Sequence, residues 1–121
     1  MTYRYGLTLQ PPWADAIFKL GKDIENRTWT TDYRGMLLIH SGKTFDKKSL
    51  KFPLVSSLVS SPSTLSYGVI IGEVRLVNVI TGSASPWALP GCYHWVLDDP
   101  FLYAEPIPFK GRLGLWKFEN V

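Results

Sequence analysis

A single cysteine and two histidines among 121 residues leave this chain little material for covalent staples or metal centres. Cys92 has no internal disulfide partner, and one thiol with two imidazoles is a poor structural zinc set, so neither a metal nor another cofactor is expected. There is no run of 18 apolar residues, which excludes a membrane-spanning helix. Residues Met1 to Gln10 lack the charged region, apolar stretch and cleavage site of a secretory signal, so the cytoplasm is the expected compartment. No internal repeat is present. No Ser-His-Asp order and no strand-turn-helix nucleophile elbow appears, and Cys92 lies in a turn-like context, so the sequence offers no convincing nucleophile. What is abundant is core material: 45% hydrophobic and 14% aromatic residues, enough for one domain spanning 1–121 and too short a chain for two.

Charge is mildly basic, net +3 with a pI of about 9.1, and unevenly spread. Residues 1–51 carry nine Lys and Arg against five Asp and Glu, whereas residues 52–121 carry four against five. A basic N-terminal half favours a polyanionic partner, although ordinary solvated lysines give the same count. Along the chain, Tyr3 to Leu9 alternates as a first strand. Pro11 and Pro12 open a helix over about Trp13 to Leu20, with Trp13, Ile17 and Leu20 at helical spacing and Gly21 as its stop. Asp23 to Trp29 then reads as extended, with Asp23, Glu25, Arg27 and Trp29 on one face and Ile24, Asn26 and Thr28 on the other. Met36 to His40 is an apolar strand. Residues 44–66, rich in lysine and then serine, read as an irregular excursion with a short helix, lying over the rest. Tyr67 to Ile80 is a long strand with a bulge or bend at Gly72. Cys92 to Leu97 and Leu102 to Ile107 are predicted as two strands separated by an Asp98-Asp99-Pro100 turn. Leu113 to Phe118 follows a Lys110-Gly111-Arg112 turn. Five to six strands with one or two helices predict a mainly β (α+β) domain, closed as a small barrel.

The stretch from Leu7 to Lys43, LTLQPPWADAIFKLGKDIENRTWTTDYRGMLLIHSGK, closely resembles the signature of the ASCH family of the PUA-like superfamily. The matching residues are Gly21, Lys22, Glu25 and Arg27, which answer the family's G-x-K-x-x-E-x-R with the glycine directly before the lysine, then Trp29, Tyr33, Arg34 and Gly35, and then Ile39, His40 and Lys43. Gly72-Glu73-Val74, Gly91 with Tyr93 and Trp95, and Gly114-Leu115-Trp116 continue the likeness, while the Ser-rich residues 44–66 stand outside it as a variable insertion. The resemblance implies a PUA-like barrel with a cleft beside the first helix, lined by the G-x-K-x-x-E-x-R segment. It also implies binding of RNA, in some relatives of a modified base. One bacterial branch resembles amidohydrolases acting on an acylated cytidine, and some relatives are described as transcription coactivators.

The residues themselves allow more than one use. A carboxylate flanked by two cations, Glu25 with Lys22 and Arg27, suits the exocyclic donors of a base while the cations take phosphate. Glu25 and Arg27 can equally form a structural ion pair that closes a barrel rim. Trp13, Trp29, Tyr93 and Trp95 offer faces for base stacking, although small barrels bury most of their aromatics and Trp13 and Trp95 suit the core first. Arg34, His40 and Lys43 are candidate phosphate contacts, with a satisfied interior histidine the simpler reading of His40. Lys47, Lys48 and Lys51 add a candidate basic rim. Glu73 is first a surface residue, and His94 shows no partner. A nucleotide- or RNA-binding module needs only the cleft. A hydrolase in the same place, a ribonuclease or an amidohydrolase on an acylated nucleoside, would need Lys22 or Glu25 as base and Arg27 as oxyanion partner. The amidohydrolase branch carries a threonine where this chain has Glu25, so that hydroxyl is missing. A protein-interaction module of the coactivator kind is the third reading, and oligomeric state is open.

Overall fold

The computed structural model describes the backbone of residues 2–120 and the side chains of residues 4–118. Strand β1 (Thr2–Leu9) leads into helix α1 (Trp13–Lys19), β2 (Ile24–Arg27) and β3 (Gly35–Ser41). Three short 3-10 turns and a one-turn helix α2 (Ser56–Val59) follow, then β4 (Val69–Ile80), β5 (Tyr93–Pro108) and β6 (Leu115–Asn120). The strands form one sheet in the order β2-β5-β4-β3-β1-β6. Strand β1 runs parallel to β3, and the other neighbours are antiparallel.

The mainly β class holds, but the sheet is not closed into a barrel. Strand β2 is only four residues long and pairs with Tyr93 to Val96 of β5, while β6 pairs with β1 no further than Leu7. The free end of β1, Thr8 and Leu9, therefore faces β2 across a gap with no ladder. A side chain bridges it: the Arg27 guanidinium donates to the Thr8 carbonyl over 2.9 Å. The expected break between two strands at Asp98-Asp99-Pro100 is also corrected, because β5 runs through it. Arg75 pairs with Asp98 and Glu73 with Phe101, so Asp99 and Pro100 together oppose Val74 as a bulge, with Asp99 at φ 51°. Beyond Val96 the outer edge of β5 has no strand against it among the described residues.

Alternation along the strands divides the interior. Leu7, Leu37, Ile39, Ile71, Val74 and Trp95 pack against α1 on one face, and Leu38, Ile70 and Trp116 gather with Phe109 and Phe118 on the other. The helix is buried over more of its surface than spacing suggested, at Ala14, Asp15, Ala16 and Ile17. The reason is that residues 44–66 cover its outer side, as the excursion was expected to cover the domain. Buried Asp15 accepts from both the backbone N–H (3.0 Å) and the hydroxyl (3.1 Å) of Ser66, and Lys19 approaches it at 3.3 Å. Val55 and Leu65 are the excursion's own apolar anchors.

Candidate functional site

The chain leaves α1 through Gly21, in the left-handed region at φ 69°, and the Lys22 N–H still bonds back to Ala16. That turn throws the Lys22 side chain inward, toward the face on which β2 places Glu25 and Arg27. The Lys22 ammonium donates to one Glu25 oxygen over 2.7 Å and the Arg27 Nε to the other over 3.0 Å. Lys22 and Glu25 are only 4% and 8% exposed, so this is a buried carboxylate held between two cations. Burial pushes the Glu25 carboxyl up, but Lys22, then Arg27, outweigh it and hold it below its usual range.

These groups form the floor of a cleft of about 510 Å³. Trp13, Trp29, Phe52 and Trp87 line it, with Phe52 edge-on against Trp13 at 5.5 Å between ring centres and exposed Lys48 at the rim. Trp29 is held edge-on against fully buried Trp95, with ring centres 4.8 Å apart. The Lys22 ammonium lies 5.9 Å over the Trp13 ring. Five of the sequence-predicted residues, Trp13, Lys22, Glu25, Arg27 and Trp29, thus share one cavity.

Part of the wall comes from residues that the sequence left without a role: Asp46, Phe52, Leu54, Pro86, Trp87 and Leu89. Asp46 accepts from the Trp13 indole N–H over 2.8 Å and its own N–H bonds to the Pro11 carbonyl, which brings Phe52 and Leu54 over the cleft. On the other side Asn26 donates to the Trp87 carbonyl and accepts from the Leu89 N–H and the His94 imidazole. That network supplies the partner His94 lacked, and holds Trp87 and Leu89 in place. The available signal was Asn26 itself, a polar residue sharing a face with apolar Ile24. No comparable signal marked Asp46. Asp46→Ala should lower stability by about 1–2 kcal/mol by orphaning a part-buried indole N–H. Urea titration would measure this loss, with faster amide exchange in residues 46–66 showing the loosened excursion.

The remaining candidates lie elsewhere. Arg34 is exposed, and its guanidinium donates to the Thr31 and Tyr33 carbonyls of its own turn. His40 is an interior histidine: Nε2 donates to the Phe109 carbonyl over 2.7 Å and Nδ1 accepts from the Thr8 hydroxyl over 3.2 Å. Burial pushes its pKa down against the upward pull of the Phe109 carbonyl. His40 and Lys43 border a second hollow beside the cleft. Trp95 is core, Tyr93 is exposed outside the cleft, and Glu73 pairs with Tyr103 and Arg4. Among the described residues no three His, Cys, Asp or Glu side chains gather as a metal set, and no helix is long and apolar enough to cross a membrane.

The family model of the ASCH domain matches residues 7–94, which include α1, the whole segment from Gly21 to Arg27 and both distant segments that line the cleft. The chain belongs to the ASCH family. No curated protein matches it significantly. Within this ASCH domain the motif residues Lys22, Glu25 and Arg27 are the ones that meet at the cleft floor.

Proposed function

We propose that the ASCH cleft binds one nucleotide, free and modified or within RNA, with the base against Glu25 and the aromatic walls. The observation that carries this reading is the buried, ionised Glu25 between Lys22 and Arg27 at the floor of an aromatic-walled cavity. A carboxylate takes the N–H donors of a base edge. Trp13 and Trp29 offer ring faces, and each base stacked on an aromatic contributes about 1–3 kcal/mol. Arg27 and Lys48 supply positive charge at the floor and rim for a phosphate. The volume of about 510 Å³ suits a ligand of nucleotide size.

Hydrolysis in this cleft is less well supported. Both Glu25 oxygens already accept from cations, and a carboxyl held below its usual range is a weak general base. His40, the acid or base a ribonuclease would recruit, borders the neighbouring hollow.

The test is RNA binding by wild type, Glu25→Gln and Arg27→Ala, with RNA integrity followed in the same tubes. Folded variants should bind about tenfold more weakly or worse, in keeping with loss of a charged hydrogen bond of about 1.5–3 kcal/mol, and the RNA should stay intact. Raising salt from about 50 to 200 mM should weaken wild-type binding markedly. Undiminished binding by both variants would remove the cleft from the reading, and cleavage by wild type alone would favour a nuclease.

A further inference from the structure

We propose that the hollow next to the cleft is the track for the phosphodiester chain of a single-stranded RNA whose bound nucleotide occupies the cleft. This inference rests on the nucleotide reading of the cleft and extends it to a longer ligand. The hollow, about 990 Å³, shares Thr8, Gln10 and Arg27 with the cleft, so the two form one continuous depression with Arg27 at the junction. It is bordered by Arg27, Lys43, Lys110 and Arg112 and by no aspartate or glutamate. Among the described residues Lys43, Lys110 and Arg112 have no carboxylate within ion-pair distance; Arg34, Lys47, Lys48 and Lys51 have none either, but they do not border this hollow, where the unmatched cations converge. Cations left unmatched around a concave surface suit a partner that brings its own negative charge at regular intervals.

The loop carrying two of these cations is seated. Its Phe109 carbonyl accepts from His40, its Phe109 N–H bonds to Gly68, and the Arg112 guanidinium lies 5.6 Å over the Phe109 ring. Gly111 rests on the imidazole so closely that a Cβ there would lie 2.9 Å from its Cε1. The Trp116 indole donates to the Thr8 hydroxyl, which in turn donates to His40. His40 is therefore a positioning residue beneath the basic loop, since both of its ring nitrogens are committed to Thr8 and Phe109 and neither is left for a phosphate. A single strand fits the arrangement because a base buried in the cleft must leave its stack, which unpaired RNA permits at low cost.

The experiment compares a nucleoside monophosphate with a single-stranded RNA of about eight nucleotides on wild type and on the Lys43→Ala/Lys110→Ala/Arg112→Ala variant. Wild type should bind the oligomer more tightly than the monophosphate. The variant should lose about tenfold or more for the oligomer, with its salt slope reduced by about 2, as expected for three fewer phosphate contacts on a single strand. Monophosphate affinity should stay unchanged. A control variant, Arg4→Ala/Arg75→Ala/Lys117→Ala, removes the same charge from β1, β4 and β6 and should retain most of the oligomer affinity. Equal oligomer losses in both variants, or a loss for the monophosphate as large as for the oligomer, would overturn the track. Wild type that binds the monophosphate but gains nothing from length would also overturn it while leaving the cleft reading intact. Binding of neither ligand by wild type would overturn the cleft reading itself.

Discussion

Glu25→Ala is expected to lower the free energy of unfolding by about 3–5 kcal/mol at neutral pH, because it leaves the Lys22 ammonium buried with no counter-charge. Arg27 suffers less, since its guanidinium keeps the Thr8 carbonyl and is partly exposed. Urea titration of the purified variant measures the loss. The double variant Lys22→Met/Glu25→Leu should regain most of it, because two apolar side chains of similar volume need no counter-ion in that place. Such a variant would be stable yet without the carboxylate proposed to take the base edge, so it separates folding from binding. If it stayed as unstable as Glu25→Ala, the buried pair would not be the source of the loss.

Acid should reproduce part of this effect, and its sign follows from the direction of the shift. The Glu25 carboxyl titrates lower in the folded chain than its ordinary value of 4.5. Its contribution is thus fully present above that value and disappears as pH falls through the folded pKa. His40 adds an earlier loss. Its folded pKa lies below the ordinary 6.5, so the unfolded chain takes up that proton first and stability begins to fall below pH 6.5.

The cleft floor was legible because it depends on local geometry. A period of two puts Glu25 and Arg27 on one face, and a glycine-terminated helix turns Lys22 toward them. The roof was not legible, because it depends on contacts between residues far apart in the chain. Asp46 meets Trp13 across 33 positions and Asn26 meets Trp87 across 61, and nothing local to either residue names its partner. The same difference explains β5. Asp98-Asp99-Pro100 has the composition of a turn, but the ladder to β4 continues on both sides and absorbs it as a bulge. Closure was illegible for a related reason: the alternation of β2 is clear, but nothing local shows that it pairs with β5 alone and meets β1 through a single side chain, Arg27 on the Thr8 carbonyl.

Gly72→Ala is expected to cost about 3 kcal/mol, at the upper end for overpacking a tight interior. An added Cβ would lie 2.5 Å from the Phe101 carbonyl and 2.7 Å from the Phe18 ring. The phenyl ring has room to tilt. The carbonyl belongs to the paired strand and moves only if β4 and β5 separate, where Gly72 faces Leu102. Equilibrium unfolding of the variant checks the prediction, and a loss under about 1 kcal/mol would mean that the strands yield more readily than their pairing indicates. The sequence reads Gly72 as marking a bulge or bend, and both ladders do shift register between Ile70 and Gly72; the close approach of a neighbouring backbone is a second reason for glycine there.

The bare outer edge of β5 carries exposed Phe101, Leu102 and Ile107, a combination that elsewhere invites a second chain to add its own strand and begin a growing aggregate. Here that edge is interrupted by Pro100, Pro106 and Pro108, which have no N–H to offer, and by the negative charges of Asp98, Asp99 and Glu105. An incoming strand would find neither a continuous ladder nor a neutral surface. The unfinished sheet, with its cleft open beside the gap, therefore presents a poor template for a second copy.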